Sequence, residues 1–169
     1  MTYTSWPPRL VLMMSLLLPG FVQAEDVRGQ VTNLPLPRFV SMKSAEGNVR
    51  RGPSVAHRVD WIFKRRNMPV QIIAEYGHWR RVVDRDGAGG WMHYSLLSGA
   101  RTVIVETDMM PLYAKPDHDA HIEAYAETGV VASLSGCVAG WCELTVGSEE
   151  GWAEMAHLWG VMPADNSDR

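Results

Sequence analysis

Six histidines, two cysteines and a scatter of Asp and Glu are the residues of this 169-residue chain that could serve as nucleophile, acid, base or metal ligand. His57, His78, His93, His118, His121 and His157 fall at expected loops and strand ends. None belongs to an H-E-x-x-H pair, no Ser stands in G-x-S-x-G, and there is no glycine-rich phosphate loop. Catalysis needs a nucleophile or an acid and base held in geometry. These spacings supply neither, so the chain reads as a non-enzyme without a cofactor. Asp117-His118-Asp119 with His121 is the densest ligand-like cluster. It occupies an expected loop where charged side chains are ordinary solvated surface, and the reading is no metal site.

Cys137 and Cys142 are the whole cysteine inventory, placed as C-V-A-G-W-C. That spacing lets a hairpin turn back and bring the two Cβ atoms within bridging distance, and in an oxidising compartment a disulfide follows. A zinc site would need two more ligands nearby. With no adjoining Lys or Arg to depress a thiol pKa, the bridge is expected to be structural.

The compartment is read from residues 1–24. Arg9 precedes an apolar run, Leu10 to Leu18, then Pro19-Gly20 and the small-residue site Val22-Gln23-Ala24. This is the pattern of a secretory signal peptide cut before Glu25. The run is too short to span a bilayer and no Cys follows it for lipidation. A periplasmic or secreted protein with no stable membrane insertion is expected, and nucleic acid is excluded as a partner outside the cytoplasm.

Residues 25–37 are polar and proline-bearing and read as a flexible lead-in. Short extended segments follow at Phe39 to Met42, Asn48 to Arg50, Asp60 to Lys64, Val70 to Glu75, Trp79 to Asp84 and Gly90 to Met92. They are separated by Gly52-Pro53-Ser54, Asn67-Met68-Pro69, Tyr76-Gly77-His78 and Asp86-Gly87-Ala88-Gly89. Tyr94 to Leu97 reads as one tight helical turn, and no useful amphipathic helix is present. The pattern then repeats at about 60 residues: Trp79 matches Trp141, Gly90-Trp91 matches Gly151-Trp152, Leu97 matches Leu158, and Pro53 matches Pro116. A period this long fits tandem domains. The expected divisions are 38–99 and 100–163, with a polar tail at 164–169.

Asn48-Val49-Arg50 followed by Gly52-Pro53, then Trp79 and Gly90-Trp91, resembles the bacterial SH3-like domain, in which an N-x-R-x-G-P opening and a closing G-W recur. The second copy has Pro111-Leu112-Tyr113 and Lys115-Pro116 in place of that opening. Its Cys-x4-Cys with an internal Trp and its Leu158-Trp159-Gly160-Val161 are similar to exported tandem SH3-like proteins of Gram-negative bacteria. The resemblance covers Phe39 to Met162 and implies an all-β fold of two tandem SH3-like small barrels. It also implies a binding module for a cell-envelope component such as peptidoglycan peptide or glycan, or an adaptor for an envelope protein.

In barrels this small, tryptophans such as Trp61, Trp79 and Trp91 are expected largely in the core, because aromatic side chains bury most area. Tyr76 and Tyr94 stand at loop ends, where a groove would place its aromatics. Together with Trp79 and Arg50 they form the expected ligand site, between the Gly52 to Arg58 loop and the Tyr76-Gly77-His78 turn. Charge divides the copies: Phe39 to Gly99 carries +5, and Arg101 to Pro163 carries −8. The basic residues cluster at Arg50-Arg51, Lys64-Arg65-Arg66 and Arg80-Arg81. Docking of the two domains by charge complementarity is therefore expected across a linker as short as Ser98 to Arg101.

Overall fold

Alternating apolar and polar residues between glycine turns form fifteen short strands in the computed structural model, which describes residues 27–167. The leader at 1–24 lies outside the described residues. The first sheet comprises β1 (Arg38–Met42), β2 (Gly47–Arg50), β3 (Val59–Phe63), β4 (Pro69–Tyr76), β5 (Trp79–Val83), β6 (Gly89–His93) and β7 (Leu97–Ser98). The second comprises β8 (Thr102–Val105), β9 (Met110–Tyr113), β10 (Ile122–Ala126), β11 (Val131–Val138), β12 (Trp141–Val146), β13 (Glu149–Glu154), β14 (Leu158–Trp159) and β15 (Asn166–Ser167). The strand orders are β3-β2-β6-β5-β4-β1-β7 and β10-β9-β13-β12-β11-β8-β14, so every strand of the first sheet has its counterpart in the second. The chain is all-β, two small barrels in tandem.

Each barrel encloses its own core. The first is built from Met42, Val49, Phe63, Val70, Ile72, Val82 and Met92. The second contains Val103, Val105, Met110, Leu112 and Leu144, with Cys137 and Cys142 buried among them. Those cysteines face each other across β11 and β12 and are joined by a disulfide. The tryptophan expectation fails here. Trp61 is 52% exposed, and Trp79 and Trp91 are only half-buried. Strand alternation explains the last two, because Met92 and Val82 take the inward positions of β6 and β5 and turn their neighbours outward. Flexible methionines fill the small interior instead.

Among the described residues, the segments flanking the two barrels are also structured. The segment expected to be a flexible lead-in turns back on itself through a bridge between Arg28 and Pro35. It is tied to the barrel by Glu75, which accepts from the Val31 and Thr32 amides at 3.0 and 2.9 Å and from Thr32 Oγ1 at 2.7 Å. Gly29 lies so close to this carboxylate that a Cβ there would collide with it. The expected polar tail also forms structure: β15 pairs in parallel with β11, and Asn166 Oδ1 accepts from the Gly140 amide at 2.8 Å. Arg101 holds Asp165 through both carboxylate oxygens, at 2.9 and 2.7 Å.

The contact between barrels is buried and hydroxyl-rich. Ser41 Oγ and Thr102 Oγ1 are 2.6 Å apart, with Ala100 O 2.6 Å from Ser41 Oγ and Asn67 O 2.7 Å from Thr102 Oγ1. Phe39 packs edge to face on Trp159 with ring centroids 4.9 Å apart, and Arg65 donates to Gly129 O at 2.9 Å. Among the described residues no ion pair joins the two sheets. The expected charge pairing between domains is replaced by short polar contacts and one ring contact.

Candidate functional site

The outer surface of β5 and β6 presents a strip of side chains fixed by register. Trp79 stands opposite His93, Arg81 opposite Trp91, and Arg50 on β2 opposite the same Trp91. Directly opposed residues of an antiparallel pair project to one face, so these five side chains share it. Gly90 makes the arrangement possible: a Cβ there would lie 2.5 Å from Arg50 O, so only glycine lets β6 run this close to β2. Gly151 does the same in the second barrel, where a Cβ would come within 2.9 Å of Leu112 Cβ. The Gly-Trp pair thus has one physical meaning in both copies. The glycine permits the approach and the tryptophan faces out.

Of the four residues expected to bind ligand, Trp79 and Tyr94 are linked through His93, Tyr76 stands opposite Trp79 across the hairpin, and Arg50 shares the face but turns its head group to a neighbouring loop. Trp79 and Tyr94 both contact His93, with centroids 5.5 and 4.9 Å away, and His78 joins Tyr94 at 5.6 Å. The Arg80 guanidinium lies 5.9 Å from the Tyr94 ring centre, within cation–π range. Tyr94 is 49% exposed and Tyr76 62%. Tyr76 is paired with Trp79 at the hairpin end and extends the strip outward. Arg50 has a different task. Its Nη1 donates to Val55 O at 3.0 Å and to His57 O at 2.8 Å, bracing the loop that follows its own strand. That fixes the loop's shape and engages one of the guanidinium's terminal nitrogens.

Beside this strip is a cleft of about 390 Å³ whose lining includes Arg51, Asp60, Arg81, Gly89, Gly90 and Trp91. Asp60 accepts from Arg58 at 2.7 Å and from Arg51 at 3.2 Å. The hydrogen bond from the Arg58 guanidinium holds the Asp60 carboxyl below its ordinary value against the opposing effect of burial, with Arg51 assisting. Arg81 carries no ion pair among the described residues and stands across from Trp91. A free guanidinium beside an indole suits a carboxylate attached to an apolar or sugar moiety. The expected groove centred on Arg50 and the tyrosines missed this cleft. The available signal was period two, since Arg81 is two residues beyond Trp79 and must share its face.

The same positions in the second barrel hold Tyr113, Glu143 and Glu154 where the first has Arg50, Arg81 and His93, beside Trp141 and Trp152. Asp117, His118 and Asp119 lie in the loop between β9 and β10. His118 turns onto Trp141, and Asp117 Oδ1 accepts from the Asp119 amide at 3.0 Å. No three His, Cys, Asp or Glu side chains converge on a point among the described residues.

Two barrels of one topology, each closed by a Gly-Trp pair and carrying an aromatic outer strip, define a tandem SH3-like architecture. The family of the bacterial SH3 domain matches residues 43–99 and again 106–160, and the chain belongs to that family. No curated protein matches it. Among solved structures it is similar to NlpC2 from Trichomonas vaginalis, at 11% identity and a TM-score of 0.35, over 73% of this chain and 48% of that one. It is also similar to NlpC1 from the same organism, at 13% identity and a TM-score of 0.35, over 86% of this chain and 50% of that one. The chain spans about half the length of these two structures.

Proposed function

We propose that the chain is an exported, non-catalytic module that binds a component of the bacterial cell envelope, with a peptidoglycan stem peptide or glycan as the ligand of its first domain. Family membership supports a binding role, and the leader-like residues 1–24 support export to the periplasm or beyond. The observation that carries the ligand class is Arg81, unpaired and facing Trp91 in the cleft next to the Trp79, His93 and Tyr94 strip. A stem peptide offers carboxylates to the guanidinium, and a glycan offers apolar ring faces to the indoles. Sedimentation with isolated peptidoglycan sacculi tests this. The protein lacking residues 1–24 should pellet with the sacculi, and Arg81→Ala should weaken that association about tenfold, as loss of a charged anchor does. Wild-type protein that stays in the supernatant overturns the reading and leaves the adaptor role toward an envelope protein.

A further inference from the structure

The second barrel repeats the outer strip of the first with its charge reversed. Trp141 and Trp152 occupy the places of Trp79 and Trp91, while Glu143 faces Trp152 and Glu154 faces Trp141. Tyr113, in the place of Arg50, meets Trp141 edge to face with centroids 5.5 Å apart and planes 86° to one another. The two rings make a corner, and His118 enters it from the neighbouring loop. Its ring centre is 4.8 Å from that of Trp141 and 6.0 Å from that of Tyr113, and its Nε2 is 3.6 Å from Glu154 Oε1.

None of these aromatics is needed to build the core. Leu112, Cys142, Leu144 and Ala153 fill that role from the opposite face of the same strands. The corner is instead an outward-facing set of π surfaces with a carboxylate at its edge, and its most exposed member is a side chain able to carry positive charge. His118 is 64% exposed, against 39% for Glu154, so it lies over the corner from outside. The domain's net charge of −8 draws cations toward this surface.

We infer that the corner of Tyr113, Trp141 and Glu154 is a binding site for an organic cation, a primary alkylammonium of the kind a lysine side chain presents, and that His118 holds the place the ligand takes. An ammonium within about 6 Å of the ring centres is attracted by the ring quadrupoles. Glu154 supplies the counter-charge, with Glu143 two residues beyond Trp141 on β12. This site belongs to the second domain alone and stands or falls apart from the ligand of the first.

The test is an NMR titration of the protein lacking residues 1–24, following the assigned indole N–H resonances of Trp141 and Trp152. The probes are Nα-acetyl-lysine methylamide and its neutral Nε-acetylated analogue. The amine should shift these resonances saturably, and the neutral analogue should not. Glu154→Gln, at a half-exposed position that the fold tolerates, should weaken the amine response at least fivefold. His118→Ala, which clears the corner, should strengthen it about threefold, and Arg81→Ala in the first domain should leave it unchanged. Equal shifts with the neutral probe, or an unaltered response in Glu154→Gln, overturn the cation site. Weaker binding in His118→Ala overturns the displacement of His118.

Discussion

Glu75 shows how one side chain can secure a segment outside the barrel. Its side chain is fully buried, and besides the donors from Val31 and Thr32 it pairs with Arg38 at 2.6 Å and Arg80 at 3.5 Å. Burial disfavours its charge, yet the hydrogen bonds from Thr32, Arg38 and Val31 prevail and bring its pKa from 4.5 down to about 2. Because the folded value lies below the unfolded one, the stabilisation is complete above the unfolded pKa and is lost as pH falls from about 4.5 toward 2. Urea denaturation across this range should show an acid-side loss of stability that is smaller in Glu75→Gln, the remainder belonging to carboxylates such as Asp60 and Asp165 whose pKa values are also lowered in the fold. At neutral pH the same variant should be less stable by on the order of 2–3 kcal/mol, with Arg38 and Arg80 left without their counter-charge. Trp61 offers the opposite case. Being half exposed, it should cost under about 1 kcal/mol when changed to Ala, whereas Met92→Ala in the closed core should cost about 2–5 kcal/mol. Chemical denaturation of the two variants decides whether the core rests on Met92 and its neighbours rather than on Trp61, as the packing has it.

The strands show which parts of the fold could be read in the residue order and which could not. Turn glycines, alternation and the 60-residue repeat sufficed for β1 to β6, for the tight turn at Tyr94–Leu96 and for the matched Trp and Gly-Trp positions, whereas Leu97, expected in that turn, begins the short strand β7. Those signals are local or periodic. The exposure of Trp61 was not legible, because alternation puts it in phase with buried Phe63 and opposite buried Val49, and it is open to solvent only because β3 is the edge strand of its sheet. The roles of Gly29, Glu75 and Asp165 depend on contacts between residues tens of positions apart, and nothing in the neighbouring sequence marks them. At the site, the aromatic members were legible as loop-end residues, but Arg50 read as a ligand contact because its loop carbonyls are invisible in a string of letters. The Gly-Trp elements yield a prediction in both copies. Gly90→Ala should destabilise the first barrel by about 1–3 kcal/mol through the clash with Arg50 O, and Gly151→Ala should act similarly on the second. The disulfide, closing a short loop between β11 and β12, should contribute about 2 kcal/mol, read as a lower melting temperature after reduction.

At the level of the whole molecule, opposite net charges and a short linker could have left the barrels held only by long-range attraction, which salt screens beyond about 8–10 Å. The contact found is of another kind. Ser41 is 1% exposed and Thr102 5%, their hydroxyl oxygens are 2.6 Å apart, and each lies within hydrogen-bond distance of a carbonyl, Ala100 O for Ser41 and Asn67 O for Thr102. Buried hydrogen bonds and the Phe39–Trp159 ring contact respond little to ionic strength, whereas an interface of exposed ion pairs would loosen. Small-angle scattering should therefore give the same radius of gyration at low and high salt. Thr102→Val removes the shared hydroxyl while keeping the side chain's shape and takes away its part-buried hydrogen bond to Asn67 O, a loss of about 0.5–1.5 kcal/mol. In that variant the scattering profile should broaden toward two independently moving barrels, and the amides around Asn67 and Ala100 should exchange faster. Expansion of the wild-type protein with salt, together with an unchanged profile for Thr102→Val, would return the junction to electrostatics.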